Sequence, residues 1–319
     1  MRPAHIGGVL MDGALANAPA PIAATARLDR LEAEAIYILR ELAGFERPAL
    51  MFSGGKDSAV LLHLALKAYA PAKPPFTLLH IDTGHNFPDV LAFRDTRAQE
   101  SGLPLVVRDV EASIARGSVR VAGVAASRNA AQAVTLLEAQ QELGFDALIG
   151  GARRDEEKAR AKERVFSHRD AFGAWRPRAQ RPELWHLYNR HIAAGESMRV
   201  FPLSNWTEAD VWAYIARERI ALPRLYYSHE RDVVRRHGLL FPVTGLTPAA
   251  EGELVERLSV RFRTVGDITC TCPVESYATN AEDILLETLS VAVSERGATR
   301  MDDRANAAAM ERRKLEGYF

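Results

Sequence analysis

The sequence predicts an α/β fold: a doubly wound, mostly parallel sheet with helices on both faces. Two observations carry that expectation. Short apolar runs alternate with segments whose apolar residues recur at three and four positions, as strands and helices do in βαβ units. Three of those runs also stop abruptly at Gly-rich or polar stretches: Ser53 to Ser58, Asp82 to Phe87 and Gly150 to Glu157. In open parallel sheets the carboxyl ends of the strands carry the ligand. With 319 residues, 47% of them hydrophobic, the chain can bury a large core.

The elements follow in order. From Thr25, Leu28, Leu31, Ala35, Ile38 and Leu42 recur at helical spacing, and Gly44 supplies a stop. "RPALMF" reads as a strand opened by a proline, and Ser58 to Tyr69 as an apolar helix against the sheet. "PPFTLLHI" is a second buried strand, and Pro88 suits the first turn of the helix after it. "LPLVVRD" is a third strand. Residues 112–133 read as a loop with one short helix, "AVTLLEAQQELG" as a helix and "FDALIGG" as a fourth strand. "ARRDEEKARAKERVFSHRD" is dense in both charge signs, and its Lys158, Arg160, Lys162 and Arg164 read as a solvated helix face or a partner-docking surface. In "SNWTEADVWAYIARERI", Asn205 or Thr207 caps a helix, with Glu208 or Asp210 in its first turn. Beyond Tyr226 the pattern turns patchy, and helical segments are expected at Ala281 to Ser294 and Arg304 to Glu316. The division expected is an N-terminal arm over 1–24, a nucleotide-binding unit over 25–228, and an irregular and helical region over 229–319.

Composition narrows the function classes. The formal net charge is zero, which argues against a broad nucleic-acid or membrane surface. No apolar run approaches the ~20 residues of a membrane span. Gly, Pro and Asp12 interrupt the alanine-rich N-terminus before a signal-peptide core forms, so a cytoplasmic protein is expected. Cys270 and Cys272 are the two cysteines, too few for a disulfide framework. One residue apart, they would share a side of an extended strand. Their readings are ordinary structural residues, a redox pair or half of a metal site. His85, His168 and His186 show no ligand spacing with cysteine or carboxylate, and no metal site is expected.

"SGGKDS" is the chemically informative stretch. It is not a Walker A loop, because Leu50 stands where that motif needs its first glycine and Asp57 follows Lys56. No G-x-G-x-x-G occurs either. A strand, a Gly-rich turn and a helix present backbone N–H groups to phosphate. Gly54 and Gly55 admit close approach, Ser53 and Ser58 supply hydroxyls, and Lys56 supplies charge. Arg153 and Arg154, after Gly150 and Gly151, offer forked contacts to phosphate or sulfate. Their alternative is pairing with Asp155, Glu156 and Glu157. Asp82 and Thr83 end the second strand, where they hold an adenine or ribose edge or simply make a turn. Asp57 is a candidate for the shell of a nucleotide-bound Mg²⁺.

After a strand, "SGGKDS" resembles the pyrophosphate loop of the ATP pyrophosphatases, which have the adenine nucleotide alpha hydrolase-like fold. "LLHIDTGHNFPDVLAFRD", "GGARRDEEKARAKERVFSHRD", "QRPELWHLYN", "GESMRVFPLSNWTEADVWAYI", "VRFRTVGD" and "RRKLEGYF" narrow the match. Together they resemble the small, ATP-binding subunit family of bacterial sulfate adenylyltransferase, from about Thr25 to Phe319. The resemblance weakens at 110–130 and 232–258, and Cys272-Pro273 stands where the family carries a Thr-Gly-Ala-like step. It implies adenylyl transfer from ATP to sulfate, giving adenosine 5′-phosphosulfate and pyrophosphate, the first step of sulfate assimilation. It also implies Mg²⁺ with the ATP, and a GTPase large subunit as partner whose GTP hydrolysis drives the step. Lys56, Arg153 and Arg154 are then the catalytic candidates. Ser53, Gly54, Gly55, Asp57, Ser58, Asp82, Thr83, Gly150 and Gly151 join Lys56 in nucleotide binding. An adenylyl-sulfate or phosphoadenylyl-sulfate reductase on the same fold is the alternative, with a redox-active thiol at Cys270 or Cys272. A nucleotide-binding regulatory subunit is another.

Overall fold

A computed structural model describes residues 20–120, 128–156 and 158–290. The N-terminal arm up to residue 19, the segment 121–127, the expected helix from Arg304 and "RRKLEGYF" lie outside the described residues. Helix α1 (Ala20–Glu41) begins before Thr25, with Pro21 in its first turn, where a missing N–H costs nothing. Then come β1 (Pro48–Met51), α2 (Lys56–Tyr69), β2 (Thr77–Asp82), α3 (Pro88–Ser101) and β3 (Leu105–Asp109). The loop expected over 112–133 overlaps two helices, α4 (Val110–Ala115) and α5 (Asn129–Leu143), and β4 (Ala147–Ile149) follows.

Among the described residues these strands belong to a six-stranded sheet of order β3-β2-β1-β4-β6-β5. Its pairs are parallel except β5 (Phe166–Arg169) with β6 (Ser197–Val200), which is antiparallel. The order reverses between β1 and β4, so the loops after those strands diverge and leave a crevice. Period-2 alternation loads both faces. Leu50, Leu78 and Ile149 pack with α1, α2 and α7 (Glu208–Glu218), whereas Ala49, Leu79 and Leu148 pack with Leu136 and Ala139 of α5.

The charged run after Glu157 keeps Lys162 exposed, as a solvated or docking face requires, but buries Arg160. It holds the short helix α6 (Lys158–Ala161) and β5, and a further polar stretch supplies β6; every residue of both strands is buried. Periodicity misses them because arginine and serine occupy their inward positions. Thr207, not Asn205, caps α7, and Thr207 with Asp210 forms a reciprocal capping box.

Residues 229–290 also differ from the irregular and helical expectation. β7 (His229–Arg236), β8 (Leu239–Pro242), β9 (Glu256–Arg261) and β10 (Val274–Glu275) form an antiparallel sheet of order β10-β9-β7-β8. Only α8 (Ala281–Ser290) in this region meets the helical expectation. "HERDVVRR" is too charged to read as a strand, yet its Val233 and Val234 are buried on opposite faces. No helix among the described residues is long and apolar enough to cross a membrane.

Candidate functional site

β1 delivers the chain into the Ser53–Ser58 loop through Phe52, which is fully buried. Gly54 has φ +77°, and a Cβ there would stand 2.8 Å from Val90 Cγ1 of α3. Both the dihedral and the close approach therefore require glycine. The loop is knitted by its serines: the Gly55 amide donates to Ser53 Oγ at 3.3 Å and Ser58 Oγ donates to the Gly55 carbonyl at 2.9 Å. Lys56 opens α2, and its amide donates to Tyr226 Oη at 2.8 Å. The electropositive end of a helix of 14 residues thus faces the crevice.

Gly150 and Gly151 leave β4 directly opposite. A Cβ on Gly151 would lie 2.9 Å from Asp57 Cβ, so these two loops are in van der Waals contact. The cavity at this junction encloses about 220 Å³. Ser53, Gly55, Asp57, Ser58, Gly150 and Gly151 line it, as do Met51, Leu79, Ile81 and Leu136 on an apolar side. Thr264 to Asp267, on the segment after β9, complete the wall.

The other candidate residues stand back from the cavity. Lys56 and Arg153 are each 1% exposed, and both are held on Asp57: Lys56 Nζ lies 3.1 Å from Oδ2, and Arg153 Nη1 donates to Oδ1. Asp57 thus lines the cavity while engaged by two cations. Arg154 points elsewhere, donating to Asn205 Oδ1 and to the Glu163 carbonyl. Asp82 Oδ1 accepts from the Gly84 amide at 2.8 Å and so shapes the turn. Thr83 is fully buried, and its Oγ1 donates to Asp267 Oδ1 at 2.6 Å. Neither Asp82 nor Thr83 lines the cavity.

Several cavity residues escaped the sequence reading, Arg160, Tyr226, Asp267 and His80 among them. Arg160, expected on a solvated or partner-docking face, is 5% exposed, lines the cavity and pairs with Glu156 at 3.3 Å. Tyr226 and Asp267 come from segments distant in sequence, which no local motif connects to "SGGKDS". His80 is buried against the wall, and its Nδ1 donates to the Phe52 carbonyl at 2.9 Å. Burial first, with the positive field of Arg94, holds its pKa below the ordinary histidine value. Cys270 sits in a turn rather than a strand, and both cysteines are buried away from the cavity lining. Among the described residues no group of three or more His, Cys, Asp or Glu side chains is arranged to hold a metal ion.

Residues 47–273 match the phosphoadenosine phosphosulfate reductase domain family. The chain is 59% identical to sulfate adenylyltransferase subunit 2 of Mycobacterium sp. (strain JLS), over 91% of this chain and 93% of that protein. It is 57% identical to the protein of that name from Streptomyces lavendulae, covering 92% of each. Among solved structures, Candida glabrata FMN adenylyltransferase superposes with a TM-score of 0.46 at 16% identity, over 86% of this chain and 88% of that one. So loose a match bears on neither substrate nor site. The α/β sheet, its serine–glycine loop and the identity across nine-tenths of both partners lead to one assignment: the chain belongs to the sulfate adenylyltransferase subunit 2 family, within the phosphoadenosine phosphosulfate reductase domain superfamily.

Proposed function

We propose that this chain is the ATP-binding subunit of a two-component sulfate adenylyltransferase, acting in the cytoplasm on ATP and sulfate. One observation carries the reading: the Ser53–Ser58 loop and the Gly150–Gly151 step meet across a single cavity at the α2 N-terminus. That arrangement suits a polyphosphate, with the loop amides and the Ser53 and Ser58 hydroxyls around the departing pyrophosphate. The apolar wall of Met51, Leu79, Ile81 and Leu136 suits an adenine face. Arg160 is the lining cation nearest in sequence to the second glycine pair. Lys56 and Arg153 add charge from behind the loop, oriented by Asp57. Mg²⁺ enters with the nucleotide, as Mg·ATP. In this reading Asp82, Thr83 and Arg154 position the loops rather than touch substrate.

Sulfate is already a dianion near neutral pH, so attack needs no general base. A sulfate oxygen bonds to the α-phosphorus while the bond from that phosphorus to the bridging oxygen breaks. Pyrophosphate leaves with the electron pair. Repulsion between two polyanions is the obstacle, and fixed positive groups in a water-poor site answer it. The mixed anhydride is strongly uphill, which accounts for a partner subunit that hydrolyses GTP. The relatives' designation as subunit 2 supports a heteromeric assembly.

The test is sulfate-dependent pyrophosphate release from ATP, with the nucleotide product identified, with and without the GTPase subunit and GTP. Adenosine 5′-phosphosulfate formed only with sulfate, and increased by GTP, is the expected result. Lys56→Ala should lower that rate roughly 10²-fold with the assembly intact. Pyrophosphate release that ignores sulfate would replace the acceptor, and no release under any condition would overturn the reading.

A further inference from the structure

Two arginines are completely buried on the antiparallel β5–β6 ladder, outside the cavity lining. The register pairs Ser167 with Arg199 and Arg169 with Ser197. Side chains alternate along a strand, so these four share one face of the ladder. Arg199 Nη1 donates to Gln140 Oε1 of α5 at 2.7 Å. Arg169 Nη2 donates to Glu163 Oε1 at 2.7 Å, and its Nη1 donates to Ser167 Oγ at 2.7 Å.

What remains is specific. Arg199 Nε and Nη2, Arg169 Nε and Ser197 Oγ are buried without a hydrogen-bond partner among the described residues. Nε and Nη2 form one edge of the guanidinium, the edge that grips two oxygens of an oxyanion at once. The charges do not balance either. Two guanidiniums share Glu163, while Asp170 accepts from the Phe172 and Ala174 amides and pairs with Arg176. Burial, then repulsion from Arg169, pushes the Arg199 pKa down to about 9, which leaves it cationic at neutral pH. A water molecule would satisfy the donors but leave the charge uncompensated.

We propose that this face of β5 and β6 binds a small tetrahedral oxyanion, sulfate or phosphate, through Arg199 Nε and Nη2, Arg169 Nε and Ser197 Oγ. The site is distinct from the nucleotide cavity, and the inference does not depend on the adenylyl-transfer reading.

Thermal unfolding of the full-length chain tests it, with sodium sulfate and sodium phosphate titrated separately against sodium chloride at equal ionic strength. A ligand of the folded state raises Tm along a curve set by its Kd, whereas the general salting effect of these anions climbs steadily and is alike in all variants. The wild type should show the component that rises as the logarithm of anion concentration above Kd with at least one oxyanion. R199M should lose it while remaining folded, because it removes an uncompensated buried charge. S197A keeps both charges and should weaken the oxyanion about fivefold or more, which preserves the test if R199M does not fold. K56A should retain the component. Absence of the component with both anions would overturn the proposal. So would its survival in S197A and R199M with loss in K56A, which would move the anion to the nucleotide cavity.

Discussion

At Gly151 the two halves of the candidate site are separated by less than a methyl group. The nearest atoms to a Cβ there are Asp57 Cβ at 2.9 Å and the Asp57 carbonyl carbon at 3.2 Å. One is backbone at the start of α2, so neither side can yield by rotating a side chain. Gly151→Ala should therefore pry the loops apart, costing roughly 1–3 kcal/mol as overpacking does and raising KM for ATP. Urea unfolding and ATP saturation curves check the two effects; an unchanged KM would show that the loops need not touch. The need for small residues was legible in "SGGKDS" and "LIGG". The burial of Lys56 and Arg153 behind Asp57 was not, because sequence reports that charges are close along the chain and not which way they turn. Arg160 shows the converse: a residue inside a mixed-charge run lies on the cavity wall.

Among the elements, α7 was the most legible, since "NWTEADVW" carries both cap and apolar stripe. The structure adds a long-range tie. Asp210 completes the capping box and also accepts from Arg27 Nε and Nη2 of α1, each at 2.7 Å. Thr207→Ala should cost about 1 kcal/mol by removing the cap. For Asp210, burial raises the pKa, but the bonds from Arg27 and Thr207 outweigh it and the net direction is down. A carboxylate depressed in the folded state stabilises above its unfolded pKa, near 4, and that contribution fades as pH falls below it. Asp210→Asn should therefore flatten the loss of stability on acidification below about pH 4, measured by urea unfolding across that range. An unaltered profile would assign the acid sensitivity to other carboxylates. The short strands β5 and β6 were illegible for a different reason. Four residues carry too little periodicity, and their inward arginines imitate a surface.

At the scale of the molecule, the second sheet's connections reach back to the first sheet's ligand end. Thr264 to Asp267 line the cavity, and Asp267 accepts from Thr83 in a buried bond. Arg263 Nη2 donates to Glu208 Oε2 at 2.6 Å, a second buried tie, this one to α7. The Thr83–Asp267 bond should appear in a double-mutant cycle. Thr83→Val and Asp267→Asn should each destabilise, with a coupling of about 0.5–3 kcal/mol between them. Each should also weaken nucleotide binding, because the cavity wall loosens. Additive effects would mean that the segment is held by its other contacts. The expectation of an irregular and helical region missed the sheet over 229–275 because β7 and β9 alternate charged residues with few apolar ones. Such strands are specified by pairing partners rather than by their own pattern.

Sequence alone determined the parallel sheet, the loop after β1, the glycine step after β4 and the family. Those depend on apolar periodicity and on backbone positions that only small residues fit, both of which are local properties of the chain. Tertiary structure alone decided which charges face the cavity and which are neutralised behind it. It also brought Tyr226 and Asp267 to the site, and buried Arg169 and Arg199 together on two strands that look like surface. Those outcomes depend on pairing between distant segments, where the energy of a charged group is set by the neighbours that folding supplies.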